Sequence, residues 1–339
     1  MKRRVWRAPG RVNLIGDHTD YQEGLCLPVA IDRDVRVSFV ARADARVRLT
    51  SEGEPVDSGH GLAGGVVRVL EARGRPAVGV DADITSTVPI GAGLSSSAAF
   101  AVALGGALAA AAEWSLAGTD LALAAQAAEH AGTGTPCGVM DQMAAVHGRA
   151  HHAVLLDCRT LAVAAIAIPE SLAIVVLHSG LPRALAASEY GARRAACEAA
   201  AARLGLRSLR DASIAQVADD PIARHVVNEN ARVVRFADAL RAGDLDTLGA
   251  LALESHRSLA DDFAVSTPEL DLLVDLAVAH GAFGARLTGA GFGGCVVAFV
   301  ESARVDAMVG PTIDRYRAQT GREATAFRVH AVDGAGLVS

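Results

Sequence analysis

The feature that most restricts the folds open to this chain lies at residues 80–112, where a β-type run meets a glycine-rich turn and then a long stretch of small helix formers. The strand predicted over 80–86 ends at Pro89-Ile90-Gly91-Ala92-Gly93-Leu94-Ser95-Ser96-Ser97-Ala98-Ala99, because proline and glycine break its pattern. The helix predicted over 95–112 opens on three serines that can cap it. Such a turn can bring backbone N–H groups against a phosphate. Gly91 and Gly93 lack the Cβ atoms that would block approach, and the helix N-terminus adds partial positive charge. No lysine follows at the Walker spacing, so this is not a P-loop. An ordinary strand-to-helix turn stays open as an alternative, although three serines after two glycines weigh against it.

Around this unit the rest of the chain reads as mixed α+β. Strands are predicted at 4–7, 24–31, 34–40 and 46–51, helices at 120–130 and 139–147, and strands at 153–157 and 172–178. Helices then cover 183–204, 221–242, 245–263 and 267–280, before strands at 285–288 and 295–300, a helix at 304–319 and a strand at 324–332. A length of 339 residues implies about two domains, and Pro169 with the turn before Leu172 divides them into 1–170 and 171–339. Composition excludes several classes of function. Acidic and basic residues are interspersed at a net charge of -6, which leaves no basic stripe for nucleic acid or an anionic membrane. The apolar run 98–112 falls short of the ~20 residues that span a bilayer. The charged N-terminus precedes no apolar core, so no secretory signal is expected and the chain reads as cytoplasmic. Its five cysteines are odd in number and never spaced as C-x-x-C, which argues for reduced thiols over disulfides or zinc.

Three further clusters carry chemistry. Residues 8–21 crowd Arg11, Asp17, His18 and Asp20 into a turn-rich segment, and closely spaced carboxylates suit a polyhydroxylated ligand from whose hydroxyls they can accept hydrogen bonds. A solvated loop is the alternative for this segment, and His18 has no partner at metal-ligand spacing. Residues 129–142 place Glu129 at a helix end and Asp141 in the first turn of the next helix, where the dipole favours an anion. Residues 286–295, Arg-Leu-Thr-Gly-Ala-Gly-Phe-Gly-Gly-Cys, lie between two apolar strands and lack the helix of a dinucleotide fingerprint, so a glycine-rich hairpin without a ligand is also open.

Taken in order, these segments resemble the GHMP kinase superfamily and, within it, the galactokinase family. Gly91 to Ser97 is similar to the ATP-binding motif, 289–294 to the C-terminal motif, and 9–21, 136–142 and 188–198 to segments of galactokinases. The resemblance implies a two-domain α+β GHMP fold, with an N-terminal domain like domain 2 of ribosomal protein S5, a ferredoxin-like C-terminal domain, and the active site in the cleft between them. It implies a monomer that phosphorylates the C1 hydroxyl of galactose with ATP and Mg2+. Asp141 would be the catalytic base; Arg11 would stabilise the transition state and keep Asp141 charged. Asp17, His18, Thr19, Asp20, Gly138 and Tyr190 would line the sugar site. Gly91, Ala92, Gly93, Leu94, Ser95, Ser96 and Ser97 would wrap the triphosphate, with Ser97 and Glu129 on the metal. Asp17 stands where galactokinases usually carry glutamate, which leaves open another hexose, an N-acetylhexosamine or a heptose. A sensor without turnover is the remaining alternative.

Overall fold

The computed structural model describes residues 3–89, 91–181 and 186–338. It begins with β1 (Arg4–Asn13), a short β2 (Leu25–Cys26), the long β3 (Pro28–Arg42), β4 (Val47–Ser51), β5 (Glu54–Val56), α1 (Gly61–Ala72) and β6 (Gly79–Ser86). Next come α2 (Ser96–Ala111), α3 (Thr119–Thr133), α4 (Met140–His147), β7 (His152–Asp157), β8 (Val163–Ala167) and β9 (Leu172–His178). The remainder is α5 (Ala186–Arg203), α6 (Pro221–Ala242), α7 (Leu245–Arg257), α8 (Pro268–Ala279), β10 (Gly284–Thr288), β11 (Cys295–Glu301), α9 (Val305–Thr320), β12 (Thr325–Val329) and β13 (Gly336–Leu337).

The strands form three sheets with orders β13-β1-β3-β6-β4-β5, β10-β11-β9-β12 and β2-β7-β8. Only β4 and β6 pair in parallel among the described strands. Twelve of the sixteen residues of α2 are buried, which is why this helix is apolar on every side rather than along one stripe. It packs into the core beneath the first sheet together with Val12, Leu14 and Phe39. A second core joins the antiparallel β10-β11-β9-β12 sheet to α8 and α9 through Val175, Leu177, Leu273, Val296 and Tyr316. This is the α+β architecture expected of the sequence. No described helix is long and apolar enough to cross a membrane.

The differences from the sequence-based expectation have physical causes. β1 runs on to Asn13 although Pro9 and Gly10 interrupt its pattern, because a register shift between Pro9 and Arg11 absorbs them as a bulge. The runs 24–31 and 34–40 prove to be the short β2 followed by one fifteen-residue strand, β3. α1 escapes a propensity reading because it contains three glycines. Tertiary packing requires one of them, since a Cβ on Gly65 would lie 2.3 Å from the Ala128 carbonyl oxygen of α3. The helix expected over 183–204 is seen from Ala186, and its first three residues lie outside those described.

Candidate active site

One cavity of about 260 Å3 collects residues from all four sequence clusters. Its floor is set by the bulge in β1. At Gly10 the strand comes so close to the glycine turn that a Cβ would lie 2.7 Å from the Leu94 carbonyl oxygen. The next amide, Arg11 N–H, donates to that same carbonyl at 3.1 Å. The bulge thereby aims the Arg11 side chain into the cavity. Its Nη1 donates to the Gly93 carbonyl oxygen at 2.6 Å, its Nε to Asp141 Oδ1 at 2.8 Å and its Nη2 to Asp141 Oδ2 at 2.8 Å. A forked guanidinium is thus held by the loop on one side and clamps the carboxylate on the other. Asp141 reaches it from the first turn of α4 and keeps its side chain 27% exposed, open to a ligand. The Ser95 hydroxyl also donates to Asp141 Oδ2. Gly91 (φ 75°), Gly93 (φ 80°) and Ser95 (φ 61°) all take left-handed backbone, which folds the turn over the start of α2.

Opposite this pair, the Ser97 hydroxyl donates to Glu129 Oε1 at 2.6 Å, and Gln142 Nε2 donates to Oε2 at 2.7 Å. Glu129 is buried, and burial raises its carboxyl above the usual range. No ion pair to Glu129 occurs among the described residues; its side-chain partners there are neutral donors. A carboxylate left without a cation beside a hydroxyl, both facing the glycine turn, is a donor set suited to a hard divalent ion such as Mg2+.

The 16–21 loop forms the third wall. Asp20 is pushed up to about 6, first by desolvation and then by the neighbouring charge of Asp141. It packs against Gly138, where a Cβ would lie 1.8 Å from Asp20 Oδ2, so any other residue at 138 would displace the carboxylate. Tyr190 arrives from α5 and stacks near His18 with ring centroids 5.7 Å apart. His18 is held neutral, pulled down to about 3 chiefly by burial and next by His225. Its ring spans Tyr21 Oη at 2.9 Å and the Ala290 carbonyl oxygen at 3.3 Å, so Nε2 carries the proton and donates to Ala290. The glycine-rich hairpin between β10 and β11 therefore reaches the cavity through Gly289 and Ala290.

Arg11, Asp17, His18, Asp20, Gly91, Gly93, Ser95, Ser96, Ser97, Glu129, Gly138, Asp141 and Tyr190 all line the cavity, as their clustering in sequence led one to expect. Three expected residues are not on its wall. Thr19 is fully buried and gives its hydroxyl to the Gly16 and Leu25 carbonyls at 2.9 and 2.8 Å, so it shapes the loop from behind. The side chains of Ala92 and Leu94 turn into the core, where 3% and 1% of each residue stays exposed. Asp17 lines the cavity with its bonding largely taken. Oδ2 pairs with Arg286 Nη1 at 2.6 Å and accepts from Asn13 Nδ2 at 2.9 Å, while Oδ1 accepts from the Gly289 amide at 2.8 Å.

Sequence reading missed the buried network behind this wall. Arg286 is wholly buried, donates to Ser255 Oγ at 3.1 Å and lies 3.8 Å from Glu229. Glu229 accepts from the Gly16 amide, Ser255 and Arg232 at 3.0, 2.6 and 2.6 Å. Burial works against its charge, yet Arg232, His225 and Arg286 hold it down at about 2. The signal in the sequence is that His225, Glu229 and Arg232 recur at i, i+4 and i+7 on α6, which puts polar, ionisable side chains on one face of a helix whose other buried positions are apolar.

The chain matches known proteins along most of its length. Residues 1–41 match the galactokinase galactose-binding signature, 61–149 the GHMP kinases N terminal domain and 236–309 the GHMP kinases C terminal domain. A galactokinase of Roseiflexus sp. (strain RS-1) is 45% identical, the match covering 98% of this chain and 93% of that protein. One of Chloroflexus aggregans is 44% identical, covering 94% and 89%. Among solved structures, the Lactococcus lactis galactokinase complexed with galactose superposes with a TM-score of 0.93 at 30% identity, covering 99% of this chain and 95% of that one. The L. major mevalonate kinase in complex with R-mevalonate, at TM-score 0.71 and 21% identity over 99% and 97%, shares the fold.

Proposed function

Because the chain belongs to the galactokinase family of the GHMP kinases, we propose that it transfers the γ-phosphate of ATP to the C1 hydroxyl of galactose, giving galactose 1-phosphate and ADP. The observation that carries this reading is the Arg11–Asp141 clamp, set at the mouth of the serine-bearing turn and sharing one cavity with the Ser97–Glu129 pair. In the transfer, the C1 oxygen forms its bond to the γ-phosphorus as the bond to the bridging β,γ-oxygen breaks. Asp141 takes the proton the hydroxyl gives up. Phosphoryl transfer depends on in-line positioning and neutralisation of phosphate charge more than on covalent help. Arg11 contributes a fixed positive charge and keeps Asp141 oriented. The turn from Gly91 to Ser97 cradles the phosphates with its N–H groups and the α2 N-terminus. Ser97 and Glu129 would hold Mg2+, which would supply neutralisation of the phosphate charge. Asp17, His18, Asp20, Gly138 and Tyr190 form the sugar wall, Asp17 and His18 mainly by fixing its shape.

An ADP-release assay across hexoses, N-acetylhexosamines, heptoses and mevalonate tests the substrate. Galactose is expected to give the highest kcat/KM, and a higher value with any other acceptor removes the assignment.

Asp20 makes sugar binding dependent on pH. Its carboxyl titrates at about 6, and only the ionised form offers all its lone pairs to sugar hydroxyls. Affinity is then complete above that pH and falls as the group protonates below it. Galactose Kd, measured calorimetrically, is expected to rise roughly tenfold from pH 7 to pH 5, a loss of about one pH unit's worth of ionised carboxylate. In Asp20→Asn the inflection disappears. A wild-type Kd that stays flat across this range excludes the carboxylate from sugar recognition.

The remaining readings follow the same family. The chain divides into units of 1–170 and 171–339, with β13 returning to pair with β1. It acts as a monomer, in keeping with how few large apolar residues are exposed among the described ones: Val163, Ile214, Val234 and the adjacent Leu337 and Val338. Five cysteines without a disulfide favour the cytoplasm.

A further inference from the structure

We propose that Gln142 is a positioning residue for Glu129, fixing which carboxylate oxygen is turned toward Ser97 and the divalent cation. The inference rests on the reading of Ser97 and Glu129 as the metal pair. Gln142 is fully buried in the first turn of α4, next to Asp141. Its amide nitrogen donates to Glu129 Oε2 at 2.7 Å and approaches Cys137 Sγ at 3.8 Å. Its oxygen, Oε1, is buried with no hydrogen-bond partner. A buried amide oxygen left without a donor is unusual and calls for a compensating gain. Turning the amide over would set that oxygen against a carboxylate, an acceptor facing an acceptor, so the negative neighbour selects the orientation seen. The gain is control of Glu129. With Oε2 occupied by Gln142, Oε1 is the oxygen left beside Ser97 Oγ, 2.6 Å away. No ion pair among the described residues restrains Glu129 otherwise. Partners that orient metal ligands in this way typically change metal affinity 10–100-fold.

The test compares wild type, Gln142→Met, Gln142→Asn and Glu129→Ala. Mn2+ is titrated into each enzyme with a non-hydrolysable ATP analogue and followed by water-proton relaxation, and the Mg2+ dependence of galactose phosphorylation is measured beside it. Gln142→Met is expected to weaken Mn2+ binding about 10–100-fold and raise half-saturating Mg2+ by a similar factor. Excess Mg2+ should restore kcat, and galactose KM should stay at the wild-type value. Gln142→Asn, which draws the amide back by one methylene, should weaken binding in the same way and serves if the methionine variant does not fold. Wild-type Mn2+ affinity in either folded variant overturns the proposal. A combined loss of metal and galactose binding that Mg2+ does not rescue also overturns it, since that pattern means packing. If Glu129→Ala itself binds Mn2+ like wild type, the metal-pair reading is what fails.

Discussion

Asp141→Ala is expected to lower kcat for galactose by about 10²–10⁴-fold, the usual contribution of a positioned acid or base, while nucleotide and sugar still bind. That range corresponds to about 3–5 kcal/mol of transition-state stabilisation. On the proposed roles the effect is concentrated in kcat, because Asp141 would meet the reacting hydroxyl, whereas the glycine-serine turn is held by contacts to Arg11 that do not involve Asp141. Leu94 still accepts from the Arg11 amide, and Gly93 still accepts from Arg11 Nη1. Asp141→Asn keeps the shape and gives up the charge; the same loss there assigns the effect to the anion. Steady-state turnover within a few-fold of wild type in either variant removes Asp141 from the transfer step, and loss of ATP binding by calorimetry shows that it serves the nucleotide instead.

Arg286→Met should be the most damaging substitution for stability. Arg286 and Asp17 are both essentially excluded from solvent and sit 2.6 Å apart. Removing one member of such a pair strands the other charge and costs about 3–5 kcal/mol. Urea unfolding should therefore show a midpoint well below that of wild type at unchanged slope. The double variant Arg286→Met with Asp17→Asn removes the stranded charge and should be less destabilised than the two single changes together. Additive losses mean that the pair does not act as a unit. Because Arg286 ties Asp17 of the 16–21 loop to β10, Arg286→Met should raise galactose KM as that loop loosens, a result that would link the hidden network to the proposed sugar wall.

Much of the site was legible because its residues signal their chemistry locally. Gly91 and Gly93 ahead of three serines announce a tight turn into a helix start, since glycine is the residue that tolerates left-handed backbone and serines cap a helix. Asp17, His18 and Asp20 crowd one turn, and Asp141 opens a helix. Other features carry no local mark. Thr19 looks like a ligand by position, but its hydroxyl is used by the loop's own carbonyls. Gln142 looks like an ordinary helical glutamine until its amide is seen on Glu129. Arg286 reads as the charged start of a glycine-rich turn, although it is buried among partners drawn from β1, α6 and α7.

The sequence by itself marked most of the strands and helices, the glycine-serine turn and the acidic loop, because backbone preference and hydrophobic period act over a few residues. Tertiary structure alone decided that Arg11 would meet Asp141 across 130 residues of chain, that Glu129 would have no ion pair among the described residues, and that Asp17 would answer to Arg286 from a hairpin near the other end. Those outcomes depend on how sheets, helices and loops pack and on which charges lose their water together, and neither is encoded in any one segment.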